Sequence, residues 1–154
     1  MKELRRTDRA ISEEEARTLL ENAEYGVLSV SSYKGEPYGV PLSFCIIDNC
    51  IYFHSAIEGQ KIDCIEQNKS VSFCVVGKTG ILPGKFSTLY ESVIVSGEAT
   101  EVFNETKRVA LEGLVRKYSP NFMNKGLKYI DASKEKTRVF KIDIKKLTGK
   151  ARKK

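Results

Sequence analysis

The stretch with the residue types for chemistry is Ile51-Tyr52-Phe53-His54-Ser55-Ala56-Ile57-Glu58-Gly59-Gln60-Lys61-Ile62-Asp63-Cys64-Ile65. It opens as an apolar, aromatic strand and holds the one histidine among the 154 residues. Small residues follow, then Gly59, then Lys61 at a point where a helix can begin. That order suits an anion. N–H groups at a helix amino terminus point outward, the helix dipole favours negative charge there, and a nearby ammonium completes the match. The stretch therefore reads as the phosphate end of a cofactor site. The plainer reading is a structural histidine at a strand end beside a solvated helix lysine, because Gly-x-Lys alone is a weak pattern. Neither Gly-x-x-x-x-Gly-Lys-Ser/Thr nor Gly-x-Gly-x-x-Gly occurs at this point, so neither of the two common nucleotide-loop signatures applies.

The elements that must hold this stretch are legible from hydrophobic period. Ser12 with Glu15 three residues on is a capping box, and Ala16, Leu19, Leu20 and Ala23 follow on one face of a helix ending near Glu24. The period then shortens. Residues 27–33 predict a strand, Lys34-Gly35 a tight turn, and residues 38–47 a second strand that Pro41 marks as an edge or bulge. Asp48-Asn49 predicts a hairpin turn, residues 51–54 a third strand and residues 61–67 a short helix. Residues 70–76 predict a buried fourth strand, and residues 77–85 a Gly-rich mobile loop. Residues 89–103 form a long strand with a bulge or bend at Gly97. Asn104 is placed as the cap of a second long helix carrying Leu111, Leu114, Val115 and Tyr118, stopped by Pro120. A further helical piece is expected over residues 121–129. Phe140, Ile142 and Ile144 alternate with charged residues as a last strand. The sum is a mainly β chain, a β-barrel with flanking helices, with about six antiparallel strands and two to four helices.

Length and apolar content suit one domain, taken as residues 1–146, followed by a basic C-terminal tail over residues 147–154. No apolar run approaches the ~20 residues that span a bilayer. The charged start Met1-Lys2-Glu3-Leu4-Arg5-Arg6 lacks an apolar stretch after it, so a cytoplasmic location is expected. Cys45, Cys50, Cys64 and Cys74 have no Cys-x-x-Cys spacing, and with one histidine no metal site is expected. The net charge of +6 raises nucleic acid as a partner. However, the last ten residues hold six basic groups and no acid, while the rest carries 20 of each sign. A short basic tail gives weak, salt-sensitive contact with polyanions and no specific nucleic-acid reader.

An ordered set of short stretches carries a family resemblance. They are Arg5-Arg6-Thr7-Asp8-Arg9, Gly26-Val27-Leu28-Ser29, Pro37-Tyr38-Gly39-Val40-Pro41-Leu42, Ile51-Tyr52-Phe53-His54-Ser55-Ala56 with Gly59-Gln60-Lys61, Tyr90-Glu91-Ser92-Val93-Ile94, and Thr148-Gly149-Lys150. Together they resemble the pyridoxamine 5′-phosphate oxidase-related flavoproteins, within them the nitroimidazole-resistance (Nim-type) branch. The resemblance implies a split β-barrel binding FMN, with two equivalent sites at the interface of a homodimer. It implies Val40, Pro41, Leu42 and Ser43 along the isoalloxazine ring, and His54, Ser55 and Ala56 near the ribityl chain and phosphate. Lys61 would pair with the phosphate. Tyr90 and Ser92 would reach the interface, and the N-terminal arginines would fold over the same region. The substrate-phosphate motif of the vitamin B6 oxidases has no counterpart near the C-terminus, so that substrate is not implied.

Residue chemistry and resemblance agree that a flat ring wants an apolar wall with a few backbone donors and acceptors. They leave two expectations. One is an FMN-dependent oxidoreductase passing electrons from a reduced nicotinamide or other donor to a small-molecule substrate, such as a nitroaromatic, with His54 as the catalytic candidate. The other is a non-enzymatic flavin- or haem-binding or sensing protein.

Overall fold

The computed structural model describes residues 1–153. Seven strands form one antiparallel sheet: β1 (Gly26–Ser31), β2 (Pro37–Leu42), β3 (Cys45–Ile47), β4 (Cys50–Ser55), β5 (Ser70–Leu82), β6 (Ser87–Val102) and β7 (Arg138–Arg152). Four helices accompany them: α1 (Glu13–Asn22), α2 (Gln60–Gln67), α3 (Asn104–Tyr118) and α4 (Met123–Ser133). The sheet order is β2-β1-β5-β6-β7-β4-β3. Its two edge strands, β2 and β3, are consecutive in sequence and joined by Ser43 and Phe44 alone. Two extended residues reach no more than ~10 Å, so the sheet must curl until its edges almost meet. That seam makes it a split barrel, the mainly β architecture with flanking helices expected above.

The seam also corrects the second predicted strand. Residues 38–47 are two strands on opposite edges, not one. Pro41 sits on β2, opposite Val27, at the edge position where a missing N–H is tolerated. The turn Asp48-Asn49 has positive φ at both residues (47° and 61°), the conformation that matches the twist of a two-residue hairpin.

Three further expectations change. The segment read as a mobile loop over residues 77–85 is mostly paired: β5 runs to Leu82 and turns through Pro83–Lys85 into β6. Gly77 and Lys78 form a bulge there, opposite Glu91. Asn104 does not cap α3 through its side chain; it starts the helix with φ 53°. The last strand does not stop near Ile144. β7 pairs with β6 as far as Tyr90↔Arg152, so residues 147–152 are half of a long ladder. Lys145 bonds Glu98 at 2.6 Å, Lys146 bonds Glu3 at 2.9 Å and Lys153 pairs with Glu15. Gly97 does mark a bulge: a Cβ there would lie 2.1 Å from the Asp143 carbonyl oxygen.

Alternation along the strands fills the barrel. Leu28, Ile51, Phe53, Phe73, Val93, Val95 and Ile142 point inward and are fully buried, joined by Ala16 and Leu20 of α1. Ser12 caps α1 by accepting from the Glu15 N–H at 3.1 Å. Phe44 and Phe73 meet edge to face with centroids 4.9 Å apart, and Phe53 stacks on Phe140 at 5.6 Å. Removing such a ring, as in Phe73→Ala, costs about 3–5 kcal/mol. A second core lies outside the barrel. There α3 and α4 place Ala110, Leu111, Leu114 and Ile130 against Cys45, Val102 and Val139.

Candidate functional site

The anion-seeking groups gather at the end of β4. Successive strand residues face opposite sides, so Ser55 continues the inward row of Ile51 and Phe53 while His54 faces the α3–α4 side. The Ser55 side chain is buried and its Oγ has no hydrogen-bond partner. Four residues on, Gly59 precedes α2 with φ 152° and ψ 163°, a backbone region open almost only to glycine. Its carbonyl oxygen accepts the first helical bonds, from the Ile62 N–H at 3.0 Å and the Asp63 N–H at 3.1 Å. The N–H groups of Gln60 and Lys61 precede those bonds and face out of the helix end. Ala56 lies in the exposed loop between. An orphaned hydroxyl, a helix amino terminus and an ammonium within seven residues fit the phosphate of a flavin nucleotide.

His54 is open to solvent on one side and backed by protein on the other. Burial, and secondly the Lys61 ammonium, push its imidazole below the ordinary pKa. His54 and Ser43 line one apolar cleft of about 500 Å³ with Tyr118, Phe122, Lys125 and Tyr129 from the helical layer. Ser43 arrives there because the seam carries the chain from β2 to β3. Tyr118 Oη holds that seam: it accepts from the Phe44 N–H at 3.0 Å and lies 2.7 Å from the Glu24 carbonyl oxygen. The Lys117 ammonium lies 3.8 Å from the centre of the Phe44 ring.

Val40 and Leu42 pack half-buried on the barrel core, whereas Pro41 and Ser43 are exposed. β2 is an edge strand, so the backbone groups facing away from β1 are free to meet a ring. Val40, Pro41, Leu42, Ser43, His54, Ser55, Ala56 and Lys61 therefore lie along the seam or at the β4–α2 corner.

Tyr90 and Ser92 do not join them within one chain. Tyr90 pairs with Arg152 and His54 with Val139, 13 residues apart on β7 (152 − 139). Roughly 40 Å of strand separates the two at ~3.3 Å per residue. Tyr90 lines a separate small cavity with Lys78, Leu89 and Arg152. Arg6 belongs to that end too: it bonds Asp8 at 2.7 Å, and Tyr90 is close enough to contribute to the rise in its pKa, after Asp8, the main cause. Ser92 sits on an outward apolar patch. Val76 is its direct partner, Cys74 is opposite Ile94, and Val27 is opposite Cys74. Val76 is 60% exposed and Ile94 43%.

Sequence reasoning missed the aromatic wall, Phe122 and Tyr129, and took Tyr118 only as a helix-face residue. The available signal was three aromatic residues recurring over positions 118–129 of helical segments. Among the described residues no cluster of His, Cys, Asp or Glu could hold a metal, and no helix is long and apolar enough to cross a membrane.

Comparison with known proteins agrees with this fold. The profile of the family described as pyridoxamine 5'-phosphate oxidase matches residues 12–151. No curated protein matches. Among solved structures, the chain is similar to a candidate 5-nitroimidazole antibiotic resistance protein from Bacteroides thetaiotaomicron, with TM-score 0.74 and 22% identity over 92% of this chain and 85% of that one. It is similar to the flavocytochrome Anf3 from Azotobacter vinelandii, with TM-score 0.81 and 20% identity over 99% of this chain and 73% of that one. It is also similar to an FAD-binding protein from Mesorhizobium loti, with TM-score 0.66 and 25% identity over 92% and 95%. With the profile covering nearly the whole barrel, the chain belongs to the pyridoxamine 5'-phosphate oxidase family.

Proposed function

We propose that this protein is an FMN-dependent oxidoreductase that works as a twofold dimer. The observation that carries the reading is the β4–α2 corner. Its buried Ser55 hydroxyl is without a partner, and the α2 amino terminus and Lys61 follow it within six residues of chain. FMN, when bound, supplies hydride and single-electron transfer through its ring. The chain's residues do the rest. Lys61 and the Gln60 and Lys61 amides hold the phosphate. The edge of β2 from Val40 to Ser43 offers the ring an apolar wall and free backbone groups. His54, neutral at pH 7 because its pKa is pushed down, presents one N–H and one lone pair to a substrate in the cleft. The cleft's size and its three aromatic rings suit a small planar acceptor such as a nitroaromatic.

Dimerisation is supported by the outward patch of Val27, Cys74, Val76 and Ile94 on three adjacent strands, a surface that monomers seldom leave uncovered. A second copy seated there would bring Ser92 to the interface, and light scattering returning a stable 17.3 kDa species refutes it.

The first test is colour: purified protein, or protein given FMN, should absorb near ~450 and ~370 nm. Lys61→Ala should weaken FMN binding by about 1.5–3 kcal/mol, on the order of ten- to a hundredfold. A colourless protein without FMN affinity ends the proposal. Reduction by NADH or NADPH, then reoxidation by a panel of nitroaromatics and quinones, tests turnover. No turnover with any pair leaves a binding protein.

A further inference from the structure

The loop that carries the phosphate corner has little to hold it. Ala56, Ile57, Glu58 and Gly59 are exposed, and nothing lies within 4 Å of where a Gly59 Cβ would be. One side chain reaches it from across the sheet. Arg138, at the start of β7, stands directly opposite Ser55 in the β4–β7 ladder. Its Nη1 donates to the Ile57 carbonyl oxygen at 3.2 Å. Nη2 donates to Glu66 Oε1 of α2 at 2.9 Å. Nε and Nη2 fork onto the two oxygens of Glu101 on β6, at 2.9 and 2.7 Å.

We infer that Arg138 is a positioning residue for the phosphate corner, tying the 56–59 loop through the Ile57 carbonyl, and the last turn of α2 through Glu66, to β6 and β7. The inference rests on the phosphate reading of that corner. Two features separate it from an ordinary surface ion pair. Arg138 and Glu101 side chains are 23% and 22% exposed, so solvent screens the fork only partly. The guanidinium already faces two carboxylates and a carbonyl, so its charge is committed. It acts on an anion through the loop's geometry and not as a ligand.

That distinction fixes the sign of the test. FMN and riboflavin differ by the phosphate alone, so their dissociation constants are measured by flavin fluorescence quenching for wild type, Arg138→Lys and Glu66→Gln. Lysine keeps the charge but cannot make the fork; glutamine removes the tie to α2 from a side chain that is 56% exposed. Expected is a loss of FMN affinity of about tenfold in Arg138→Lys and about threefold in Glu66→Gln, with riboflavin changed by less than about twofold. Folded variants that keep the wild-type FMN-to-riboflavin ratio overturn the positioning role. So does tighter FMN binding by Glu66→Gln, which would mean the released arginine is itself a ligand. If Arg138→Lys gives no cooperative melt, Glu66→Gln decides alone. A wild type that binds both flavins equally overturns the phosphate reading and the inference with it.

Discussion

Replacing Tyr118 by phenylalanine removes one oxygen atom from the seam of the barrel. That oxygen accepts from the Phe44 N–H at 3.0 Å and donates toward the Glu24 carbonyl oxygen 2.7 Å away, with the Phe44 carbonyl oxygen at 3.1 Å. Phe44 is fully buried, so its N–H is left without a partner. The lost bond is worth about 1 kcal/mol net, and an orphaned buried donor costs about 1–3 kcal/mol more, which gives about 2–4 kcal/mol together. Tyr118 is 38% exposed, so water reaches part of the vacated position and the lower half of that range applies. For a domain of this size each kcal/mol moves the melting temperature by about 2–4 °C, so Tyr118→Phe, at about 2–3 kcal/mol, should melt roughly 4–12 °C below wild type. Tyr129→Phe, at a ring that is 71% exposed, is the control and should shift by less than ~1 °C. Circular dichroism melts of both, without flavin, make the comparison. A Tyr118→Phe shift no larger than the control refutes the claim that this hydroxyl holds the seam.

Three more expectations follow from the same geometry. The single histidine gives one imidazole resonance, which should titrate below the ordinary value of ~6.5. Lys61→Met should move it part of the way back, since burial, the larger cause, remains. A depressed histidine is neutral in the fold, so its contribution is fully present above the unfolded pKa. It is lost as pH falls from ~6.5 to the folded pKa, and His54→Gln should flatten that part of the stability profile. Lys117→Met keeps the stem over Phe44 and removes an ammonium that has no hydrogen-bond partner and whose burial lowers its pKa. The melting temperature should hold or rise, and a drop above ~3 °C would mean the cation–π contact outweighs the desolvation. Deleting residues after Lys146 removes the β6 pairing from Leu147↔Val95 to Arg152↔Tyr90. Expected is loss of a cooperative melt, and wild-type stability would restore the reading of a dispensable tail.

What was legible in the sequence was local. The Ser12 cap, the Asp48-Asn49 turn, the edge character of Pro41 and the strand-turn-helix at residues 51–67 each depend on neighbours within a few residues. The bulge at Gly97 was legible because a glycine inside an apolar alternating run marks a bend or a close backbone approach. What failed was set by distant partners. Residues 77–82 looked mobile by their glycines, but pairing with residues 87–90 outweighs that preference. The basic end looked solvated because its acids, Glu3, Glu15 and Glu98, lie far away in sequence. The break at Ser43 and Phe44 exists only because the sheet must close, and no window of residues contains that requirement. At the site, the Ser55–Lys61 corner was readable as a motif, whereas the cleft's aromatic wall and the Arg138 tie depend on how helices and β7 fold back over it.

The two-residue seam has a consequence for how occupancy and integrity are related. The β2 wall is one margin of the ribbon and the β4–α2 corner lies one strand in from the other, the two brought together only when the sheet closes on itself. A molecule touching both would therefore act as a staple, gripping ends that unfolding must pull apart. Its contribution grows with the logarithm of its concentration over its dissociation constant, about 2.7 kcal/mol at a hundredfold excess. Cellular levels of such a molecule would then set how long the protein survives as well as how much of it is active.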